Sequence, residues 1–147
     1  MTPPPAQPTA PIGREAASSP SAISDKPRRH SVSAAFGYAF EGLAAAWRGE
    51  RNLRIHAVLA AVALIAAALL RLPVWAWSLV VLAIALVLVT ELLNSALEAV
   101  VDLVSPHDHP LAKRAKDVGA AAVLVAACGA AAAGVIIAGW AFFGRVL

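Results

Sequence analysis

Cysteine and charge are both scarce in this 147-residue chain, and each shortage excludes a class of protein. The single cysteine, Cys128, excludes an internal disulfide and a zinc site built from several thiolates. Charged residues make up 14% of the chain, whereas an average soluble domain has about 25%. A soluble domain of this size needs a polar surface, so the composition, which is 60% hydrophobic, indicates an integral membrane protein.

The first thirty residues differ in composition from the rest of the chain. They hold seven of the ten prolines, set among Ala, Ser and Thr, so the segment has too little apolar surface to offset its ordering entropy. We therefore expect a disordered tail at residues 1–30 and a membrane domain at residues 31–147. The tail has no apolar stretch behind a basic start, and we do not expect a signal peptide.

Aromatic and apolar side chains recur at helical spacing just after the tail. They lie at positions i, i+4, i+7 and i+11, and are Phe36, Phe40, Leu43 and Trp47. Aromatic rings suit the headgroup level of a bilayer. The pattern predicts an amphipathic helix over residues 31–49 that lies along the membrane surface.

Three long uncharged stretches follow, at 55–70, 74–90 and 118–143. A transmembrane helix needs about 20 residues, so the shorter stretches must extend into the polar residues beside them. We predict three transmembrane helices, at 51–70, 74–103 and 116–143, joined by a 71–73 turn and a 104–116 loop.

The distribution of Lys and Arg predicts the orientation of these spans. Six basic residues lie between residue 26 and the first uncharged stretch, and three lie between the second and third spans, whereas the 71–73 turn holds only Arg71. Basic residues favour the cytoplasmic side. We therefore expect a cytoplasmic N-terminus and 104–116 loop, and an outward C-terminus. Because the basic residues flank spans and form no continuous patch, nucleic acid is not an expected partner.

A polar stripe is predicted on the second span. At about 100° per residue, Glu91, Asn94, Glu98 and Asp102 fall within an arc of roughly 80°. Buried polar groups can join helices, but three carboxylates repel one another, so a bound cation explains the stripe better. Hard carboxylate oxygens favour magnesium, which commonly brings its own phosphate ligands. Glu91 is expected on the order of 16 Å below Asp102.

Other polar candidates flank the stripe on the side predicted to be cytoplasmic. Glu50 either reaches the same site or only stabilises the start of its helix through the helix dipole, and the sequence leaves both open. The adjacent His-Asp-His of the loop hints at zinc, but three neighbouring residues between prolines rarely form a metal site, so zinc is not expected. Lys116 either neutralises the charge of a bound phosphate, helps to fix the orientation of the spans in the membrane, or does both.

The run ELLNSALEAVVD (Glu91–Asp102), followed by HPLAKRAKD (His109–Asp117), resembles the prokaryotic diacylglycerol kinase family. The resemblance covers about residues 31–143. It implies an all-α homotrimer in the bacterial cytoplasmic membrane, with a surface helix, three transmembrane helices and sites shared between subunits. The implied activity is ATP-dependent phosphorylation of a membrane lipid hydroxyl at the cytoplasmic face.

Two branches share this pattern, one acting on diacylglycerol and the other on undecaprenol. The stretches Glu50–His56 and His109–Lys113 resemble the undecaprenol branch more closely, and His56 stands where the diacylglycerol branch typically has an acid. We expect phosphorylation of undecaprenol, diacylglycerol or both. The alternatives are a strict diacylglycerol kinase that makes phosphatidic acid and, outside this class, a small helical channel or an inactive scaffold.

The resemblance also implies roles for the matching residues. Glu91 is the general base that takes the hydroxyl proton, Glu50 and Glu98 hold the magnesium that bridges the ATP phosphates, and Asn94 and Asp102 support the site. The implied nucleotide contacts are Tyr38, Glu50, Glu98, His107, Asp108, His109, Lys116 and Asp117. The residues implied to flank the lipid are Trp47, Asn52 and Arg54.

Overall fold

A computed structural model of the chain describes residues 31–144. The tail expected at residues 1–30 lies outside them. The described part forms four helices, α1 (Val32–Gly49), α2 (Arg51–Leu69), α3 (Val74–Val104) and α4 (Pro110–Phe143). The all-α prediction is confirmed, and α2, α3 and α4 are each long and apolar enough to cross a membrane.

The start of α4 corrects one prediction. The helix begins at Pro110 and not at residue 116, because proline suits the first helical position, where its missing N–H is not needed. His109 caps this end, and its Nδ1 accepts a hydrogen bond from the N–H of Leu111 at 3.2 Å. The predicted 104–116 loop is therefore only the 105–109 connection, and the basic residues assigned to that loop lie on a helix.

The turn between α2 and α3 is closed by backbone hydrogen bonds. The N–H of Leu72 donates to the carbonyl of Ala67 at 3.1 Å, and the N–H of Arg71 donates to Ala68 at 3.0 Å. This pattern ends a helix with one residue in the left-handed region. That residue is Arg71, with φ of 50°, a position that glycine usually fills. Pro73 then precedes α3 in an extended conformation.

The helices pack side by side, and the contact between α3 and α4 is the most extensive. Next to the α2–α3 turn, a buried apolar cluster joins α2, α3 and α4 through Ala67, Leu72, Ala76, Ile137 and Ala141. Small side chains in this cluster allow the helix backbones to approach closely. Most large apolar side chains on the three long helices are exposed in the single chain, as expected of helices that face lipid or another subunit.

Helix α1 is attached to α2 through Arg54. The guanidinium Nη1 donates hydrogen bonds to the backbone carbonyls of Trp47, at 3.0 Å, and Arg48, at 3.2 Å. A cation at the carbonyl end of a helix is stabilised by the helix dipole. No residue of α1 is buried. Helix α1 begins one residue after the predicted 31–49 segment and ends with it, and its place on the membrane surface stays a prediction.

Candidate functional site

The predicted stripe on α3 forms a gradient of burial. Glu91 is only 2% exposed and is the one buried polar or charged residue in the described part of the chain. Asn94 and Glu98, one and two turns further on, are half-buried, and Asp102 is exposed. The deep end of the stripe is therefore shielded by protein, whereas its shallow end is open.

His56 of α2 and Glu50, just before that helix, interact electrostatically with the deep end of the stripe. The Glu91 carboxyl lies within electrostatic range of His56 and Glu50 on the α2 side, and of Glu98 on its own helix. Glu50 precedes α2 in an extended conformation, and its side chain makes no capping hydrogen bond to that helix. This position is compatible with both interpretations of Glu50, as an acid at the start of α2 and as a carboxylate that serves the stripe.

Asn94 orients one of the carboxylates. Its Nδ2 donates a hydrogen bond to Oε1 of Glu98 at 2.8 Å. Its Oδ1 is buried and has no hydrogen-bond partner among the described residues. This oxygen occupies the space that a Cβ would take at Gly119 of α4. No motif or periodicity singled out Gly119, since the contact arises only when α3 and α4 pack together.

The shallow end of the stripe is joined to α4 by an ion pair. Nζ of Lys116 lies 2.5 Å from Oδ1 of Asp102. One turn away on the surface, Lys113 pairs with Asp117 at 2.6 Å within α4. The structure thus brings Lys116 to the stripe, as its sequence position suggested. The remaining candidates are all exposed, on α1 (Tyr38, Trp47), on α2 (Asn52, Arg54), in the 105–109 connection (His107, Asp108, His109) and on α4 (Asp117).

A cavity of about 330 Å³ lies between α2, α3 and α4. Its wall is formed by Ala, Leu, Val and Ile side chains, together with Gly134 and a single polar residue, His56. The sequence did carry a signal for this histidine, because His56 is the one strongly polar residue in an otherwise apolar stretch. His56 thus lines the apolar cavity and lies within electrostatic range of the Glu91 carboxyl.

The carboxylates fit one kind of metal site better than another. The described residues contain no group of three or more His, Cys, Asp or Glu side chains placed to enclose an ion. Magnesium is usually bound by one or two carboxylates, with water and substrate phosphates as the other ligands. Carboxylates such as those of Glu50 and Glu98 are the ligand type of such a site, and the described residues form no closed protein cage.

Comparison with known proteins gives consistent matches across this region. A profile of the prokaryotic diacylglycerol kinase family matches residues 37–138. A diacylglycerol kinase of Synechocystis is 46% identical over 100 residues, 67% of this chain and 57% of the relative. A diacylglycerol kinase of Escherichia coli is 42% identical over 92 residues, 63% of this chain and 75% of the relative.

An undecaprenol kinase of Bacillus subtilis is similar to the same degree, at 42% identity over 90 residues, 61% of this chain and 73% of the relative. The chain thus spans little more than half of the Synechocystis protein and about three quarters of the other two. The segment matched by the family profile contains every site candidate, from Tyr38 to Asp117.

Proposed function

Because the chain belongs to the prokaryotic diacylglycerol kinase family, a family of membrane lipid kinases, we propose that it transfers the γ-phosphoryl group of ATP to a membrane lipid hydroxyl. The observation that carries this proposal is the burial of Glu91, 2% exposed, within electrostatic range of Glu50 and Glu98. A shielded carboxylate suits a proton acceptor, and carboxylates nearer the open end suit a charged, water-soluble nucleotide.

In the proposed reaction, Glu91 accepts the proton of the lipid hydroxyl. The lipid oxygen bonds to the γ-phosphorus of ATP, and the bond from that phosphorus to the ADP oxygen breaks. Phosphoryl transfer depends mainly on positioning and on stabilising negative charge. Lys116, paired with Asp102 at the open end, provides positive charge for the phosphates. Further nucleotide contacts in this proposal are Tyr38, His107, Asp108, His109 and Asp117.

We infer that Glu50 and Glu98 hold Mg²⁺, with Asn94 as support. When bound, the ion neutralises charge on the ATP phosphates. The hydrogen bond from Asn94 Nδ2 restrains one oxygen of the Glu98 carboxylate, and the other oxygen would be available to the ion. Two carboxylates together with phosphate oxygens are a common ligand set for magnesium.

The membrane arrangement extends the proposal. The chain is a membrane protein with three candidate spans, and we place it in the bacterial cytoplasmic membrane with the N-terminus cytoplasmic and the C-terminus outside. At most 17% of the apolar stretch of any span is buried within the single chain. This exposure supports a homotrimer in which other copies cover part of the apolar surface. Trp47, Asn52 and Arg54, near the α1–α2 junction, would flank the lipid.

Two lipids, undecaprenol and diacylglycerol, are candidate substrates. Identities of 42–46% to diacylglycerol kinases and 42% to an undecaprenol kinase are too similar to separate the two lipids. We propose that undecaprenol is phosphorylated at least as well as diacylglycerol, on the strength of the Glu50–His56 and His109–Lys113 stretches. A strict diacylglycerol kinase is the alternative.

The test uses the purified full chain in mixed micelles, with ATP labelled in its γ-phosphate. Diacylglycerol and undecaprenol are offered separately and then in competition, so that the ratio of kcat/KM values is measured. We expect labelled product from both lipids. A preference for diacylglycerol above about tenfold, or 1.4 kcal/mol, would establish the strict diacylglycerol kinase. Absence of labelled lipid with either substrate would refute the kinase proposal and leave the channel or the inactive scaffold.

A further inference from the structure

Gly119 lies where α4 crosses the polar stripe of α3. A Cβ added at this position would overlap Oδ1 of Asn94 and would lie 3.0 Å from Cδ2 of Leu97. The amide oxygen therefore fills the space that every other amino acid would need for its side chain. Gly119 has no positive φ, so the reason for glycine here is space and not backbone conformation.

The choice of glycine is informative because alanine is the better helix former. Alanine occupies the next three positions of α4, Ala120 to Ala122. Elsewhere on this helix, a Cβ added at Gly129, Gly134 or Gly139 would have open space around it among the described residues. Gly119 is thus the glycine within the membrane-spanning part of α4 whose missing side chain admits another residue.

Asn94 packs into the space beside Gly119, and the orientation of its amide determines its contact with Glu98. With Oδ1 seated against Gly119, the Nδ2 group faces Glu98 and donates the 2.8 Å hydrogen bond to its carboxylate. The reverse orientation of the amide would place an oxygen against a carboxylate and lose that bond. Burying Oδ1 without a hydrogen-bond partner costs free energy. The same amide orientation lets Nδ2 hold the Glu98 carboxylate in position.

We propose that Gly119 is a positioning residue of the site, acting through Asn94 on the Glu98 carboxylate. The inference rests on the proposed function in so far as Glu98 serves magnesium-nucleotide binding. A methyl group at position 119 would force the short Asn94 side chain to rotate away. That rotation would break the hydrogen bond from Asn94 to Glu98.

The test compares Gly119→Ala with Gly129→Ala, a matched glycine of the same helix with open space around it. Two quantities are measured in each variant. The first is the Mg²⁺ concentration that gives half-maximal lipid phosphorylation. The second needs no turnover and is the Mg²⁺ concentration at which a non-hydrolysable ATP analogue begins to raise Tm. We expect Gly119→Ala to raise both at least about threefold, and Gly129→Ala to leave both unchanged.

Asn94→Ala and the Asn94→Ala, Gly119→Ala double variant complete the cycle. If Gly119 acts through Asn94, Asn94→Ala alone raises both Mg²⁺ values, and adding Gly119→Ala changes them no further. A full additional effect in the double variant would overturn the proposal, as would a wild-type Mg²⁺ requirement in Gly119→Ala. If Gly119→Ala alone does not fold, recovery of folding in the double variant supports the contact, and continued misfolding contradicts it.

The two proposals fail in different ways. A wild-type chain that phosphorylates neither lipid contradicts the proposed function, while the Tm measurement with the ATP analogue still tests Gly119. A wild-type chain that phosphorylates lipid, together with additive effects in the cycle, contradicts only the role of Gly119.

Discussion

The two ends of the α3–α4 pair are held together by different means. Beside the α2–α3 turn, Ala76 is fully buried among apolar neighbours, and the rings of Trp75 and Trp140 meet edge to face with centroids 5.0 Å apart. At the opposite end, an ion pair between Asp102 and Lys116 and the seating of Asn94 against Gly119 join the same two helices.

The polar end of the helix pair buries polar groups at a cost in free energy, whereas the apolar end does not. It buries the Glu91 carboxyl and leaves Oδ1 of Asn94 without a partner among the described residues. Proteins tolerate such departures chiefly at functional sites, where another requirement outweighs packing. We therefore expect the two ends to have separate roles: the apolar end stabilises the helix pair, and the polar end carries the reaction. Substitutions at each end in turn test whether the two can be separated.

The largest effect is expected from Glu91→Gln. The substitution keeps the shape of the side chain and removes its ability to accept a proton, so we expect kcat to fall by at least about 10²-fold. Nucleotide binding and Tm should change little. Glu41→Gln, at an exposed glutamate of α1, is the control and should keep wild-type kcat. Near-normal kcat in Glu91→Gln would remove Glu91 from the role of general base.

Ala76→Leu tests the apolar end. Ala76 is 0% exposed, so a larger side chain must displace α4 or α2, at a cost of about 1–3 kcal/mol. We expect a lower Tm in detergent with an unchanged Mg²⁺ requirement in the protein that remains folded. Ala85→Leu, at an exposed position of the same helix, should leave Tm unchanged. A changed Mg²⁺ requirement in Ala76→Leu would show that the two ends are coupled.

A smaller effect is expected from Glu50→Gln and Glu98→Gln. Each removes a negatively charged oxygen donor from a hard cation, so each should raise the Mg²⁺ concentration for half-maximal activity while Tm stays near the wild-type value. Activity is measured across a magnesium titration, with Glu41→Gln as the control for loss of a carboxylate. Wild-type magnesium dependence in both variants would show that neither glutamate is a ligand, and Glu50 would return to the helix-start interpretation.

Much of the fold followed from the sequence because the membrane imposes simple rules. Uncharged stretches marked α2, α3 and α4, and every predicted end of these helices agrees with the structure within one residue except the start of α4. The predicted start of α4 was wrong because the charges within 110–116 are typical of a loop. Cap chemistry at His109 and Pro110 outweighed them.

The site was predictable only along one helix. Periodicity placed Glu91, Asn94 and Glu98 on one face, and the hydrogen bond between Asn94 and Glu98 agrees with that face. Contacts between helices left no such pattern. Gly119 is one of nine glycines, and only the approach of α4 to α3 distinguishes it. His56 was visible as a lone polar residue, but its position near Glu91 depends on how α2 packs.

The smallest effect is expected from Asp102→Asn, which breaks the ion pair with Lys116. The side chains of Asp102 and Lys116 are 65% and 37% exposed, so water and salt weaken their attraction, and the pair should contribute little to stability. Unlike the Lys113–Asp117 pair, which lies within α4, it connects two helices. We therefore expect a small decrease in Tm for Asp102→Asn and a smaller one for Lys113→Met. Both decreases should shrink as ionic strength rises, because exposed charges are screened.

The comparison between Asp102→Asn and Ala76→Leu decides whether the two ends have separate roles. If the decrease in Tm for Asp102→Asn equals or exceeds that for Ala76→Leu, the polar end holds the helices together as firmly as the apolar end, and the assignment of separate roles is contradicted.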